Sequence, residues 1–161
     1  LIIGYNETMK KVCTLCLVVD SNKVLLGMKK RGFGEGRWNG FGGKVEENEE
    51  IIEGAKRELL EESGVRAKAM DLKGILEFEY LDDDKILEVH VFKVGDYEGR
   101  PMETEEMRPR WFDVHQIPFE EMWPDDLYWL PLFLKDKNFR GRFVFEDKVK
   151  IISHDLKILD D

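Results

Sequence analysis

Apolar positions along the chain follow two rhythms, and they alternate. Residues 12–19 form a nearly continuous apolar run and 23–28 a second, divided by Asp20-Ser21-Asn22, which predicts two strands around a turn. Residues 48–63 switch to helical spacing, with Ile51, Ile52, Ala55 and Leu59 as a core-facing stripe and Gly64 as the C-terminal stop. Strands are predicted again at 74–81 and 86–94, joined through Asp82-Asp83-Asp84, and at 108–113. Residues 117–122 predict a short helix. Asp125 or Asp126 would cap a further one through Lys135, with a kink or a short first turn because Pro131 lies inside it. Residues 139–145 and 149–158 predict a closing hairpin. Strands separated by helical segments imply an α/β architecture, a mixed sheet with helices packed against it.

Between the second strand and the first helix, residues 32–43 are rich in glycine and read as a loop that permits close approach of a ligand. From Met28 to Lys44 the cations Lys29, Lys30, Arg31, Arg37 and Lys44 face only Glu35. This basic segment leads into an acidic helix, the order a metal-bridged polyphosphate would need. Within that helix Glu58, Glu61 and Glu62 stand at i, i+3 and i+4, so their carboxylates share a face. Such a stack repels itself unless a cation sits among its members, and oxygen-only ligands suit a hard divalent ion, Mg²⁺ above all. Three clustered glutamates alone would more often be a solvated acidic face. The wider register changes that judgement: from Gly43 the chain reads Gly-x5-Glu-x7-Arg-Glu-Leu-x-Glu-Glu-x-Gly-Val.

That register is the Nudix box, and the chain resembles the Nudix hydrolases. The stretches at 27–34, 37–44, 106–109 and 122–126 are similar to the MutT-homologue branch, which acts on oxidised purine nucleoside triphosphates. The resemblance runs from about Thr14 to the C-terminus. It implies a Nudix α/β/α sandwich over residues 12–161, with the box helix on the mixed sheet. It also implies a Mg²⁺-dependent pyrophosphohydrolase, with Mn²⁺ as an alternative ion, converting 8-oxo-dGTP and 2-oxo-dATP to the monophosphate and pyrophosphate. Glu58, Glu61 and Glu62 would hold the ion with the Gly42 carbonyl. Glu106 would serve as a further ligand or a general base, two roles the sequence does not separate. Arg57 would pair with Glu49 and fix the loop against the helix. Trp123 is the expected stacking wall for the base, with Phe33 and Phe78 opposite and Asn39, Asp125 and Asp126 as polar readers. Thr14, Lys29, Phe41, Gly43, Lys44 and Pro124 complete the substrate contacts that the resemblance implies. Two carboxylates in one apolar pocket cannot both ionise cheaply, so Asp125 and Asp126 could offer different donor patterns to the two oxidised bases.

Several alternatives are weighed on the same residues. The glycine-rich loop is not a phosphate-binding P-loop, since Trp38 and Val45 stand where glycine and serine or threonine would be required. A dinucleotide polyphosphate or a diphosphoinositol phosphate is a rival substrate. A catalytically silent Nudix fold that binds RNA or protein is a rival from another class, but no box glutamate is missing. A net charge of −9 over 161 residues argues against a nucleic-acid polymer as partner. No apolar run is long enough to cross a bilayer, so a monomer in the cytoplasm is expected, with mitochondrial or nuclear pools left open. Cys13 and Cys16 fall on opposite faces of a buried strand and imply neither zinc nor a disulfide. Residues 1–11 read as an N-terminal extension, a cloning remnant or a frayed end.

Overall fold

The computed structural model describes residues 10–159. Most of the expected extension, 1–9, lies outside them, while Lys10 and Lys11 open the first strand. In chain order the elements are β1 (Lys10–Asp20), β2 (Lys23–Lys29), β3 (Trp38–Asn39), α1 (Ile51–Ser63), β4 (Arg66–Tyr80), β5 (Ile86–Glu98), β6 (Met107–Asp113), α2 (Asp126–Leu134), β7 (Asn138–Glu146) and β8 (Lys150–Leu159). A short 3-10 turn, Phe119–Glu121, precedes α2. The strands form one mixed sheet in the order β3-β2-β1-β5-β4-β7-β8, with β6 paired along β2. β1 runs parallel to β5 and β4 parallel to β7; the other neighbours are antiparallel.

Period-two alternation in the central strands supplies one apolar set to each face of the sheet. On one face Cys16, Val18, Phe92 and Val94 pack with Ala55 and Leu59 of α1. On the other, Leu17, Val89 and Val91 pack with Trp129, Leu130 and Phe133 of α2 and with Phe139, Phe143 and Phe145 of β7. The result is the mixed sheet with packed helices that the residue pattern predicts, in the α/β/α sandwich that the Nudix resemblance implies.

Three elements differ from expectation, each for a local reason. α1 starts at Ile51 rather than 48. The Glu49 carboxylate accepts from the Glu46 N–H at 3.0 Å and from Arg57, which holds 46–49 as a turn, with Asn48 at φ 64°. β4 starts eight residues before position 74, and irregular pairing between Ala67 and Gly74 breaks the alternation that would have revealed it. Asp125 precedes α2, yet its side chain makes no capping bond. It accepts instead from the indole N–H of Trp129 at 2.8 Å.

The segment expected as a pure loop contributes to the sheet. β1 and β2 pair only next to their turn and then splay, and residues 38–45 fill the gap. Trp38 and Asn39 pair with β2, while Phe41, Gly43 and Val45 bond to Cys16, Thr14 and Val12 of β1. Gly42 is required by this insertion: a Cβ there would lie 1.8 Å from the Thr14 carbonyl oxygen. The reason is strand-to-strand approach.

Candidate active site

Splaying of β1 from β2 opens the sheet beside α1, and the box carboxylates face that opening. Glu62 in the last turn of α1 is 6% exposed and accepts from the Gly42 N–H at 2.8 Å. Phe41 and Gly43 turn their backbone groups towards β1, so both the N–H and the carbonyl of Gly42 face the Glu62 side. Glu58 lies against Gly43, where a Cβ would come 2.7 Å from its carboxyl carbon. Glu106 reaches the same region from the start of β6, with Lys29 Nζ at 3.1 Å from its Oε2 and 4.0 Å from Glu62 Oε2. Arg31 makes two further hydrogen bonds to Glu106, at 2.9 and 2.7 Å.

Arg57 organises the opposite side. Its guanidinium donates to both Glu49 oxygens, at 2.9 and 3.1 Å, to Glu58 at 2.9 Å, and to the Lys44 carbonyl at 3.2 Å. Glu61, largely exposed, is a more distant partner at 3.4 Å. The chain thus supplies its own cations to the acidic face: Arg57 for Glu49 and Glu58, Lys29 and Arg31 for Glu106. These pairings hold the Glu49 and Glu106 carboxyls below the usual range. Glu62 is the exception. Burial pushes it up to about 7 against the opposing Gly42 N–H and Lys29, and the charges of Glu58 and Glu106 add to the rise.

Among the described residues no three acidic, histidine or cysteine side chains already converge as a metal cage. The donor set nonetheless fits a hard divalent ion. It consists of carboxylates plus one backbone carbonyl, and Glu62 is a buried carboxylate whose charge needs a further cation.

Next to these carboxylates lies a cavity of about 240 Å³. It contains Thr14, Lys29, Phe33, Asn39, Gly42, Gly43, Glu62, Phe78, Trp123, Asp125 and Asp126, all singled out from the sequence. Asn39 accepts the Gly40 N–H at 2.9 Å through Oδ1, which leaves its amide NH₂ free to donate. Asp125 and Asp126 are almost fully buried at the apolar end. Desolvation raises Asp125, opposed by the Trp129 N–H, and raises Asp126 well above the usual range, with the neighbouring Asp125 charge as second cause. Oδ2 of Asp126 has no hydrogen-bond partner among the described residues. A buried polar atom without a partner is costly, and Asp126 belongs to the cavity wall.

Some expected contacts are placed differently. Phe41 is fully buried beneath α1 and serves packing; the inward face of the inserted strand carries it away from the cavity. The Lys44 side chain lines an adjacent pocket, and Pro124 does not line the cavity. Phe33 does not oppose Trp123 but stacks on it, with centroids 4.9 Å apart, and Arg37 lies 4.6 Å from the same ring. Phe78 lines the cavity while packing near Phe143 and Phe145. Cys16 is buried, its thiol pushed up to about 12, whereas Cys13 is only partly buried and faces the cavity.

Sequence reasoning missed Tyr80, Leu87, Val89, Met107 and Phe145 as cavity walls, and Trp129 as the partner of Asp125. Spacing of i and i+4 on α2 was the available signal for Trp129.

The NUDIX domain family pattern matches residues 9–133. The chain is 52% identical over 150 residues to an oxidized purine nucleoside triphosphate hydrolase of Mus musculus, covering 93% of this chain and 96% of that one. It is 50% identical over 151 residues to the protein of the same description from Danio rerio, covering 94% and 97%. The crystal structure of a MutT protein from Bacillus halodurans superposes with a TM-score of 0.82 at 30% identity, over 91% of this chain and 97% of that one. The chain belongs to the Nudix family, whose members generally use divalent metal ions. No helix among the described residues is long and apolar enough to cross a membrane.

Proposed function

We propose that this protein hydrolyses oxidised purine nucleoside triphosphates, 8-oxo-dGTP and 2-oxo-dATP among them, to the monophosphate and pyrophosphate. It thereby removes damaged precursors before a polymerase can use them. The observation that carries this reading is one cavity lined both by a buried aspartate pair and by Glu62, Gly42 and Gly43. Such a cavity matches a ligand with a polar-edged flat base and a polyanionic tail. The two vertebrate relatives described as oxidized purine nucleoside triphosphate hydrolases support the same substrate class.

Glu58, Glu61, Glu62, Glu106 and the Gly42 carbonyl would hold Mg²⁺, with Mn²⁺ as an alternative. When bound, the ion neutralises phosphate oxygens and makes its water more acidic. Arg57 and Glu49 keep Glu58 and the preceding loop in position before substrate arrives, so less reorganisation is needed in the reaction. Lys29 holds Glu106 beside Glu62. Water adds at phosphorus, one phosphoanhydride P–O bond breaks, and the departing oxygen leaves on pyrophosphate. Glu106 is placed to take the proton of that water or to join the ligand set.

At the base end, Trp123 offers the stacking surface and Asn39 an amide donor. Asp125, held by Trp129, acts as the acceptor, while Asp126 is kept protonated and donates. Exchange of that proton within the pair would let one cavity accept both oxidised purines.

Turnover of 8-oxo-dGTP, 2-oxo-dATP, dGTP, a dinucleotide polyphosphate and a diphosphoinositol phosphate should be compared with Mg²⁺ and with EDTA. Metal-dependent pyrophosphate release, with kcat/KM highest for the oxidised purines, is expected. Preference for another substrate, or no turnover of any, would overturn the reading.

A further inference from the structure

Beside the nucleotide cavity lies a second pocket of about 230 Å³ that shares Phe33, Tyr80 and Leu87 with it. Four separate segments each send one lysine to its wall. Lys11 comes from β1, Lys44 from the inserted segment, Lys85 from the turn before β5 and Lys148 from the β7–β8 turn. In a chain of net charge −9 this gathering runs against the overall balance.

Lys10, Lys29, Lys73 and Lys93 each sit within 3.2 Å of a carboxylate. The four rim lysines have no ion pair with a carboxylate among the described residues. Asp82 and Asp83 also line the pocket, and Asp83 is engaged by the Lys85 backbone N–H at 3.0 Å. The rim cations instead act on one another. Lys44 and then Lys85 push Lys11 down to about 8, with a smaller contribution from desolvation. Like charges brought together from four segments are relieved by an anion placed between them.

We propose that this rim is a second anion-binding subsite, which takes a phosphate or pyrophosphate group beside the nucleotide cavity. The phosphates to be cleaved belong at the carboxylate end, near Glu62, so the rim serves a different anion. Two sources share the required chemistry: a phosphate carried on the sugar of the bound nucleotide, and free pyrophosphate. The subsite stands on the lysine geometry and does not depend on which triphosphate the protein hydrolyses.

The test is calorimetric titration of inorganic pyrophosphate into the full chain in EDTA, which removes any metal-bridged binding. The wild-type protein is expected to bind, and to bind more weakly as salt is raised. Lys85→Glu with Lys148→Glu should weaken binding about tenfold or more, because two attractions become repulsions. Lys85→Arg with Lys148→Arg keeps both charges and should retain binding, so a folding defect in the first variant is not mistaken for lost charge. No binding by the wild-type protein, or equal binding by the double-glutamate variant, would overturn the proposal. A nucleoside 3′,5′-bisphosphate that inhibits better than its 5′-monophosphate, with the advantage lost in the double-glutamate variant, assigns the rim to a sugar phosphate. Equal inhibition by the two, with pyrophosphate binding intact, assigns it to the free anion.

Discussion

Two groups of carboxylates meet at one cavity, through Glu62 and through Asp125 and Asp126, and their surroundings give them opposite chemistry. At the α1 end, Arg57, Lys29 and Arg31 lie within hydrogen-bond reach of Glu49, Glu58 and Glu106. The cations hold Glu49 and Glu106 below the usual carboxylate range. At the α2 end, Asp125 and Asp126 are sealed among apolar side chains, and Trp129 supplies one neutral donor. There a proton is the cheapest way to remove charge. Identical functional groups thus become candidate metal ligands in one place and candidate base readers in the other. Glu62 stands between the two regimes: it is buried like the aspartates but belongs to the glutamate group.

The largest effect should come from removing that intermediate residue. Glu62→Gln keeps the size but not the charge, and kcat with saturating Mg²⁺ should fall on the order of 10²–10³-fold. Retained turnover would mean the glutamate end does not work as a metal site. Arg57→Lys tests the cation network: a lysine cannot make the forked contact to Glu49 while also bonding Glu58. Metal affinity or activity should drop about 10–100-fold, measured by Mg²⁺ titration of initial rates.

At the other end, Asp126→Asn and Asp125→Asn should change the ratio of kcat/KM for 8-oxo-dGTP and 2-oxo-dATP, each by about tenfold, the worth of one hydrogen bond. An unchanged ratio in both variants would separate the aspartate pair from base choice.

A smaller effect concerns stability without metal. Glu62 is raised from its ordinary 4.5 to about 7 in the folded protein. A raised folded value means that its contribution is complete below about 4.5 and is lost as pH climbs through about 7. In EDTA, thermal unfolding should therefore occur at progressively lower temperature across that window. Added Mg²⁺ should reduce the decline, and Glu62→Gln should flatten it in EDTA. The aspartate pair contributes in the same direction, so its share is what remains in the Glu62→Gln variant.

Pattern alone carried much of this organisation. The 3.6-residue period placed Ile51, Ile52, Ala55 and Leu59 on the inner side of α1 and grouped Glu58, Glu61 and Glu62 along one flank, and Gly64 does close the helix, at φ 76°. The apolar runs located β1, β2, β5 and β7 to within a few residues, because each carries a run or an alternation of buried apolar residues. The bulged first half of β4 and two-residue β3 were hidden, since neither offers a sustained alternation.

What could be read along the chain was chemistry of fixed spacing: a helix face, a box, a family and its acidic residues. What only the folded molecule decided was company. The splaying of β1 from β2 admitted the inserted strand, which sent Phe41 into the core and the Gly42 N–H to Glu62. Packing of α2 buried Asp125 and Asp126 in the cavity wall, and four separate segments each brought one lysine to one rim. Charge state follows from desolvation and from neighbours distant in sequence, and these exist only once the sheet has assembled.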